Sequence, residues 1–361
     1  MVDRFGTTVL MAWFTALAAG VVMVASAATA NSYVVRHCVF VAAALAVFAA
    51  IANIPLRLWE ALHRWCLVAA IALCAAVLIP GIGLEAGGAH RWIWLGAFTL
   101  QPSELAKFLL VVYLAAYFAR TGDAVQDDIW AFLRPLAWAG VLAGLVLIEP
   151  DFGTTLLLVL LTGGLMLLAG ARLRHFLGVA GAAAVGLIVL LRLEVYREER
   201  LVAFLDPWSL PHSGGYQLTQ ALIAFGRGEW LGVGLGEGVQ KLAYLPEAHN
   251  DFIFAVVAEE LGLIGAGALI VLLAFLVLCT FSIARAAADQ GRLFGAYLAY
   301  GAGLVIGAQV LISVGVNTGV LPTTGLTLPF ISFGGNSLLV CTALLALAFR
   351  THLEGDNLGR R

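Results

Sequence analysis

Ionisable residues stand directly before and within one strongly apolar stretch, LPEAHNDFIFAVVAEELG at positions 245–262. Glu247, His249 and Asp251 precede the apolar run, and Glu259 and Glu260 lie inside it. A carboxylate can serve as a general base and accelerate a reaction by about 100- to 10,000-fold. The structural alternative for Asp251 is the N-cap of its own helix, where Asp is favoured and interacts well with the helix dipole. The two roles are compatible in one residue.

Two further stretches carry charge beside apolar runs. Glu104 and Lys107, in QPSELAKF, are spaced so that they share one face of a helix, where they either form an ion pair or face a substrate. Ser103 in the same stretch is a candidate N-cap behind a proline. Asp151, in IEPDFG, follows a proline in a tight turn, and a turn or cap carboxylate is the simplest interpretation.

The composition identifies the solvent around these groups. The chain has 361 residues, of which 62% are hydrophobic and 12% charged, against about 25% charged in soluble domains, and its mean hydropathy is +0.97. It is therefore an integral membrane protein, in which each unpaired charge at membrane depth costs at least ~2.5 kcal/mol unless it faces a wet cavity. The net charge of -2 selects no partner, and no phosphate-binding loop or nucleic-acid motif is visible.

Runs of about 17 to 25 apolar residues predict helices long enough to cross a bilayer. The sequence predicts an all-α membrane protein with one domain over residues 1–361. We expect about ten transmembrane helices, near 8–30, 34–54, 64–83, 104–119, 129–148, 153–170, 173–192, 251–281, 292–317 and 329–350.

The distribution of basic residues predicts the orientation. With both termini in the cytoplasm, the inside ends and loops carry most of the arginines that lie outside residues 193–250, as the positive-inside rule requires. The segment 193–250, between the seventh and eighth spans, then becomes one large outer loop, and its YQLTQALIAF stretch has helical spacing. Its aromatic residues are either interfacial anchors or platforms for sugar rings.

A second irregular region, 315–339, interrupts the span pattern with glycines and prolines near the outer face. Non-helical backbone at membrane depth requires burial in protein or a polar cavity. Four polar residues here either line the cavity of the carboxylates or surround glycines that serve packing alone: Thr323, Thr324, Ser332 and Asn336.

Several long motifs resemble the SEDS family of cell-wall proteins, and its septal branch more closely than its elongation branch. The matching words are GAHRWIWLGAFTLQPSELAKF, EPDFGTTLLL, FLDPW, GYQLTQALIAFGRGEWLGVGLGEGVQKLAYLPEAHNDFIFAVVAEELGLIGA and NTGVLPTTGLTLPFISFGGNSLL. They occur in family order from about residue 85 to the end, and the first three spans match mainly in hydropathy.

The resemblance implies a peptidoglycan glycosyltransferase that polymerises lipid II at the outer face of the bacterial cytoplasmic membrane, at the division septum. It places the family's essential aspartate at Asp251. Substrate-binding or polar-cavity candidates are Glu104, Lys107, Asp151, Gln217, Lys241, His249 and Ser332. A class B penicillin-binding protein, a transpeptidase, and other division proteins are the implied partners.

The implied chemistry leaves some roles open. Pyrophosphate leaves with negative charge, which Lys107, Lys241 or a loop arginine could stabilise. A divalent cation, Mg²⁺ or Mn²⁺, held by carboxylates such as Glu104 or Asp151 is the alternative, and no cofactor is certain. A lipid II flippase and a non-catalytic division scaffold are the rival functions. The concentration of intramembrane ionisable residues in the outer half favours the enzyme over the flippase.

Overall fold

A computed structural model describes most of the chain. The residues described are 4–28, 30–86, 89–96, 98–122, 124–175, 177–178, 181, 206–209, 215–242 and 244–359. Within them the helices, numbered in chain order, are α1 (Arg4–Ala27), α2 (Asn31–Asn53), α3 (Leu56–Val77), α4 (Pro102–Thr121), α5 (Ala124–Asp127), α6 (Ile129–Ile148), α7 (Phe152–Leu168), α8 (Tyr216–Gly228), α9 (Ile253–Asp289), α10 (Leu293–Asn317) and α11 (Gly335–Gly359).

The transmembrane prediction is confirmed for most of the chain. Eight described helices are long and apolar enough to cross a membrane, and α7 is an apolar helix of 17 residues. Together they account for nine of the ten predicted spans. The remaining span, predicted at 173–192, lies largely outside the described residues, as does much of the predicted loop 193–250. The helix predicted within YQLTQALIAF is α8.

A small antiparallel sheet follows α3, where we had predicted only helices and loops. Strand β1 (Gly83–Ala86) pairs with β2 (Ala89–Trp94), which pairs with β3 (Thr99–Leu100). Ile93 lies opposite Leu100 in the second pairing. The sheet connects the end of α3 to the start of α4 and places the side chains of β2 beside the ends of several helices.

The interior of the bundle is formed mainly by α4, α10 and α11. Helix α4 packs against α3, α7 and α10, and α11 packs against α2, α9 and α10. Along α4 the side chains of Leu110, Val111 and Leu114 are completely buried. The apolar side chains that are exposed, such as Val271 and Leu311, are of the kind that faces lipid in a membrane protein.

Helix α9 is interrupted by a glycine that the fold requires. Gly262 has φ of +66°, a left-handed conformation that residues other than glycine rarely adopt. A Cβ atom at this position would lie 2.5 Å from the carbonyl oxygen of Trp230 and 2.4 Å from the amide nitrogen of Gly232. The kink therefore lets the loop after α8 dock directly on the backbone of α9.

Candidate active site

A polar cavity of about 170 Å³ lies where α4, α7, α9 and α11 begin and α10 ends. These termini meet because α4, α7, α9 and α11 run in one direction through the bundle and α10 returns in the other. The cavity is lined by residues at the starts of α4, α7, α9 and α11, by residues of β2 and by the segment 324–337. Its charged residues are Arg91, Glu104, Asp151 and Asp251. The four come from segments far apart in sequence.

Asp251 lies in the turn before α9 and lines the cavity with a partly exposed side chain. The N-cap of α9 is Phe252, so the alternative interpretation of Asp251 as the N-cap is wrong. Instead, the amide of Asn317 donates to the carbonyl oxygen of Asp251 at 2.8 Å and accepts from the backbone amide of Ala255 at 3.0 Å. Among the described residues, no group donates a hydrogen bond to the carboxylate of Asp251.

The surroundings of this carboxylate raise its proton affinity. Although the side chain is partly exposed to the cavity, the cavity walls shield it from bulk water. This desolvation raises the pKa of Asp251 to about 7, and the negative charges of Glu247 and Asp151 act in the same direction. The positive charge of Arg91 opposes them. A carboxylate with a pKa near the working pH is well suited to accept a proton during a reaction.

Asp151 is both a helix cap and a cavity wall. Its Oδ1 accepts from the backbone amide of Thr154 at 3.0 Å, which makes it the N-cap of α7, as the turn interpretation predicted. Its Oδ2 accepts from the hydroxyl of Ser103 at 3.0 Å and from the amide of Gln101 at 3.3 Å. The N-cap of α4 is Gln101, so the prediction that Ser103 is the N-cap is wrong.

Glu104 and Lys107 lie side by side, with Lys107 Nζ 2.8 Å from Glu104 Oε2. The distance between the two atoms is that of an ion pair, but Glu104 Oε2 does not accept a hydrogen bond from Lys107. Lys107 is completely buried, and its ammonium donates to Gln309 Oε1 at 3.1 Å. Glu104 lines the cavity and Lys107 lies behind it, outside the cavity wall. The ion-pair interpretation is thus the one that the geometry supports.

Arg91 supplies the basic side chain of the cavity. It was not among the candidate site residues predicted from the sequence. Its Nε donates to the carbonyl oxygen of Glu149 at 2.8 Å, and one terminal nitrogen donates to that of Pro150 at 2.7 Å. Of the described residues that line the cavity, it is the one Lys or Arg. The signal that could have found it is a basic residue in a strand-like AHRWIW stretch beside the predicted carboxylates.

Glu149 lies just behind this wall, at the end of α6. Its side chain is 1% exposed, and neither carboxyl oxygen has a hydrogen-bond partner within the described part of the chain. Burial, followed by the charge of Asp151, raises the pKa of Glu149 to about 8. Glu149 is therefore mainly protonated at neutral pH.

His249 and Ser332 support the turn that carries Asp251 but do not line the cavity. The hydroxyl of Ser332 donates to the carbonyl oxygen of Asn250 at 2.7 Å. The amide of Phe333 donates to the carbonyl oxygen of His249 at 2.9 Å, and the two rings pack with centroids 5.5 Å apart. Both predicted residues therefore fix the backbone next to Asp251, and their proposed contact with substrate stays a prediction.

Lys241 and Gln217 lie apart from the cavity lining. Lys241 Nζ lies 2.6 Å from Glu260 Oε1 and also donates to Ser26 Oγ at 2.9 Å and to the carbonyl oxygen of Gly236 at 2.8 Å. This buried cluster anchors the loop after α8 to α1 and α9. Gln217 lies on α8 and is half-buried. The cavity therefore does not bring these two candidates together with Asp251.

Glu259, beside Glu260 on α9, is fully buried and serves the same loop. Its carboxylate accepts from the backbone amides of Val239, at 3.0 Å, and of Gln240, at 3.2 Å. Arg227 Nε lies 3.6 Å away. The two glutamates inside the apolar run are thus explained by a loop that they hold, which the sequence alone could not show.

The irregular region predicted to contribute cavity residues does so in part. Thr324 and Asn336 line the cavity, and the amide of Asn336 donates to the carbonyl oxygen of Thr99 at 2.9 Å. Thr323 is not part of the lining. Gly325 has φ of +76°, and a Cβ there would lie 3.7 Å from Asp251 Oδ2, so a glycine brings the backbone past the carboxylate without strain.

The carboxylates of the cavity do not form a ready cation site. Asp151 already accepts hydrogen bonds on both oxygens, and Glu104 is paired with Lys107. In the part of the chain that is described, no cluster of three or more His, Cys, Asp or Glu side chains has the arrangement of a metal centre. Glu104 and Asp151 would therefore have to give up contacts they already make before they could bind a divalent cation.

Known proteins match this chain over nearly its whole length. A family model for FtsW, RodA and SpoVE, described as "Cell cycle protein", matches residues 7–356. The "Probable peptidoglycan glycosyltransferase FtsW" of Thioalkalivibrio sulfidiphilus is 46% identical over 94% of this chain and 87% of its own length. The protein of the same name from Coxiella burnetii is 44% identical over 94% of both chains.

Two solved structures share the fold. One, described as "Structural coordination of polymerization and crosslinking by a peptidoglycan synthase complex", superposes with a TM-score of 0.82 and 29% identity over 96% of this chain and 97% of that one. The rod shape determining protein RodA of Thermus thermophilus gives a TM-score of 0.72 and 27% identity over 96% of each chain.

Proposed function

The chain belongs to the FtsW, RodA and SpoVE family of cell cycle proteins, and from that premise we propose that it is a peptidoglycan glycosyltransferase that polymerises lipid II into glycan strands. The proposal places the reaction at the outer face of the bacterial cytoplasmic membrane, at the division septum. The single observation that carries it is the carboxylate of Asp251, which faces the polar cavity without a hydrogen-bond donor among the described residues.

Asp251 acts as the general base in this proposal. It takes the proton of the sugar 4-hydroxyl as that oxygen forms a bond to the anomeric carbon of a lipid-linked glycan. The bond between the anomeric carbon and the pyrophosphate oxygen breaks, and undecaprenyl pyrophosphate leaves with the electron pair. The pKa of about 7 matches this task, because the group is ionised near neutral pH and yet basic enough to accept the proton.

Arg91 is the group best placed to interact with the leaving pyrophosphate. Its guanidinium is fixed by two backbone carbonyl oxygens, so little side-chain freedom is lost when it meets an anion. Lys107 is less suitable, since it is completely buried behind Glu104 and its charge is already paired. A preorganised cation in a site that excludes water stabilises developing negative charge far better than one in water.

The flippase and the scaffold receive less support from the geometry. A flippase requires a polar path across the bilayer for the headgroup. Beyond Lys107, α4 continues with the completely buried apolar side chains of Leu110, Val111 and Leu114. A scaffold gives no reason to keep an unpaired carboxylate in a cavity, because such a group costs stability.

We also propose that the protein works with a class B penicillin-binding protein, a transpeptidase that crosslinks the new strand, and with other division proteins. The support is the similarity to the synthase complex whose description joins polymerisation with crosslinking. The names of the FtsW relatives support the septal location.

The test is polymerisation of purified lipid II by the purified protein, with and without its cognate transpeptidase. Asp251→Asn removes the base and keeps the size, and since the side chain makes no hydrogen bond to a described residue, the fold should be unaffected. Asp289→Asn, an exposed aspartate at the far end of the same helix, is the matched control.

We expect normal insertion and thermal stability for both variants, glycan synthesis by Asp289→Asn, and none by Asp251→Asn. Synthesis by Asp251→Asn at the wild-type rate would reject the general base. Absence of synthesis by a well-folded wild-type complex would reject the enzyme.

A further inference from the structure

A larger groove lies at the opposite end of the bundle from the polar cavity. It has a volume of about 460 Å³ and runs between α3, α4 and α6. Its lining includes His63 and Arg64, about two turns after the start of α3, and Arg120 in the last turn of α4. The polar cavity instead lies at the start of α4, so the two sites are separated by nearly the whole length of that helix, about 25 Å at 1.5 Å per residue.

One part of this groove is apolar and exposed at the side of the helix bundle. Leu67, Val68 and Ile71 extend along α3 from Arg64, and Trp138 faces them from α6. The side chain of Val68 is 54% exposed and that of Trp138 is 45% exposed. An apolar groove that opens sideways on a transmembrane helix bundle presents its free surface to lipid chains.

The other part of the groove is basic. Arg120 is held by His63 Nε2, 3.0 Å from one of its terminal nitrogens, and its other terminal nitrogen donates to the carbonyl oxygen of Glu60 at 3.3 Å. The carboxylate of Glu60 lies 3.8 Å away, at the limit of an ion pair, and both side chains are partly exposed. Such an exposed pair contributes about 0–1 kcal/mol and leaves Arg120 able to meet another anion.

Arg64 is exposed and has no hydrogen bond or ion pair with any residue that the structure describes. Arg134, another exposed arginine, lies on α6, the helix whose Trp138 lines the groove. The lining of the groove, as far as it is described, contains two arginines, Arg64 and Arg120, and no carboxylate. This is an arrangement that complements an anion joined to an apolar chain.

We propose that this groove binds one anionic phospholipid, with its phosphate at Arg64 and Arg120 and one acyl chain along Leu67, Val68 and Ile71. With the orientation predicted from the arginines, the lipid belongs to the cytoplasmic leaflet. Basic pockets between transmembrane helices on that side bind anionic headgroups. The site is independent of the proposed glycosyltransferase chemistry, which lies at the other end of the bundle.

The charge of the headgroup should determine which lipid the groove prefers, an anionic or a zwitterionic one. A phosphatidylglycerol headgroup carries one negative charge, whereas phosphatidylcholine adds an ammonium that would be repelled by the arginines. Each arginine near an anionic lipid surface contributes a factor of about five in affinity. We therefore expect the two arginines together to give phosphatidylglycerol about a 25-fold advantage over phosphatidylcholine with the same chains.

The experiment measures equilibrium binding of these two lipids to the full chain in detergent by native mass spectrometry. Arg64→Gln combined with Arg120→Gln should abolish the preference for phosphatidylglycerol. Arg285→Gln, an exposed arginine on α9, is the matched control and should preserve it. Equal binding of the two lipids by the wild type would overturn the proposal, as would a preference that survives the double substitution.

A second variant tests the apolar half without touching the arginines. Val68→Trp fills the groove from its exposed side, and we expect it to lower the occupancy of phosphatidylglycerol at least fivefold with an unchanged thermal unfolding midpoint. Wild-type occupancy in this variant would show that the lipid binds elsewhere. Glycerol phosphate, added at the same concentration as the lipid, should not compete. Effective competition would identify a site for soluble anions and reject the lipid.

Discussion

Asn317 holds the backbone of the proposed base in place, and its replacement by Ala tests that role. The side chain is completely buried. Its amide nitrogen donates to the carbonyl oxygens of Asp251 and Ser313, both at 2.8 Å, and its oxygen accepts from the backbone amide of Ala255. Asn317 therefore joins the end of α10 to the first turn of α9 and to the residue that carries the reacting carboxylate.

The cost of Asn317→Ala can be worked out bond by bond. The carbonyl oxygen of Asp251 loses the one hydrogen bond found for it, and an unsatisfied buried carbonyl costs about 1–3 kcal/mol. The amide of Ala255 retains a contact of 3.0 Å with the carbonyl oxygen of Phe252, so its loss is below about 1 kcal/mol. The total is about 1–4 kcal/mol. Displacement of Asp251 by a fraction of an ångström to one ångström should slow polymerisation about 10- to 100-fold.

Ser313→Ala is the matched control, one turn earlier on α10. The hydroxyl of Ser313 is buried and has no hydrogen-bond partner among the described residues, so its removal should be neutral or slightly stabilising. The assay is polymerisation of purified lipid II, paired with the thermal unfolding midpoint in detergent. Asn317→Asp adds a further arm, since its carboxylate can accept from Ala255 but cannot donate to Asp251. Full activity in both Asn317 variants would refute the positioning role.

Three other predictions follow from the same contacts. Because Asp251 must be ionised to accept a proton and its pKa is about 7, the polymerisation rate should rise with pH through that value. Glu247→Gln removes a negative neighbour of Asp251 and should move the midpoint of this rise to lower pH. An unchanged midpoint would contradict the assignment of Asp251 as the base. Lys241→Met leaves the carboxylate of Glu260 buried without its cation and should lower the free energy of unfolding by about 3–5 kcal/mol. The double variant with Glu260→Gln should recover much of that stability. Strictly additive losses of stability in the two single variants and the double variant would refute an interaction between Lys241 and Glu260. A cysteine at exposed position Ser209, in a background without the native cysteines, should react with a membrane-impermeant maleimide added from outside, and protection there with labelling at the C-terminus would reverse the predicted orientation.

The helices could be predicted from sequence because lipid makes the apolar run the dominant signal. Residues 129–148 were predicted as a span, and α6 occupies Ile129–Ile148. Its boundaries are sharp for local reasons: the side chain of Asp128 accepts from the amide of Trp130 at the start, and Glu149 and Pro150 follow the end. Where such signals are absent the limits shift, as in α9, which continues to Asp289 rather than 281.

The sheet could not be predicted in the same way. Its strands have two to six residues, and their pairing depends on a register that short alternating stretches do not specify. Yet β2 is the element that brings Arg91 to the carbonyl oxygens at the end of α6. The one basic residue found in the cavity lining was therefore missed because its position depends on strand pairing rather than on hydropathy.

Ion pairs between distant segments could not be predicted either, because such pairs leave no local pattern in the sequence. Glu104 and Lys107 are three residues apart on one helix, and their pairing was among the predicted alternatives. Lys241 and Glu260 lie 19 positions apart, Lys241 in the loop after α8 and Glu260 on α9, so their spacing in the sequence does not indicate that they pair. Only the fold shows that one charge neutralises the other.

The distribution of partners also separates the proposed base from the other carboxylates. Glu104 and Glu260 are each bound to a lysine, Asp151 caps α7, and Glu259 accepts from the backbone of the loop after α8. Each of these four carboxylates already has a partner, either a lysine or a backbone amide. Asp251 alone among the carboxylates of the cavity has its backbone fixed and its oxygens left without a described donor. Proton transfer from a bound hydroxyl to Asp251 would disturb no hydrogen bond or ion pair with a described residue, whereas transfer to any of these other four carboxylates would disturb an ion pair or a hydrogen bond.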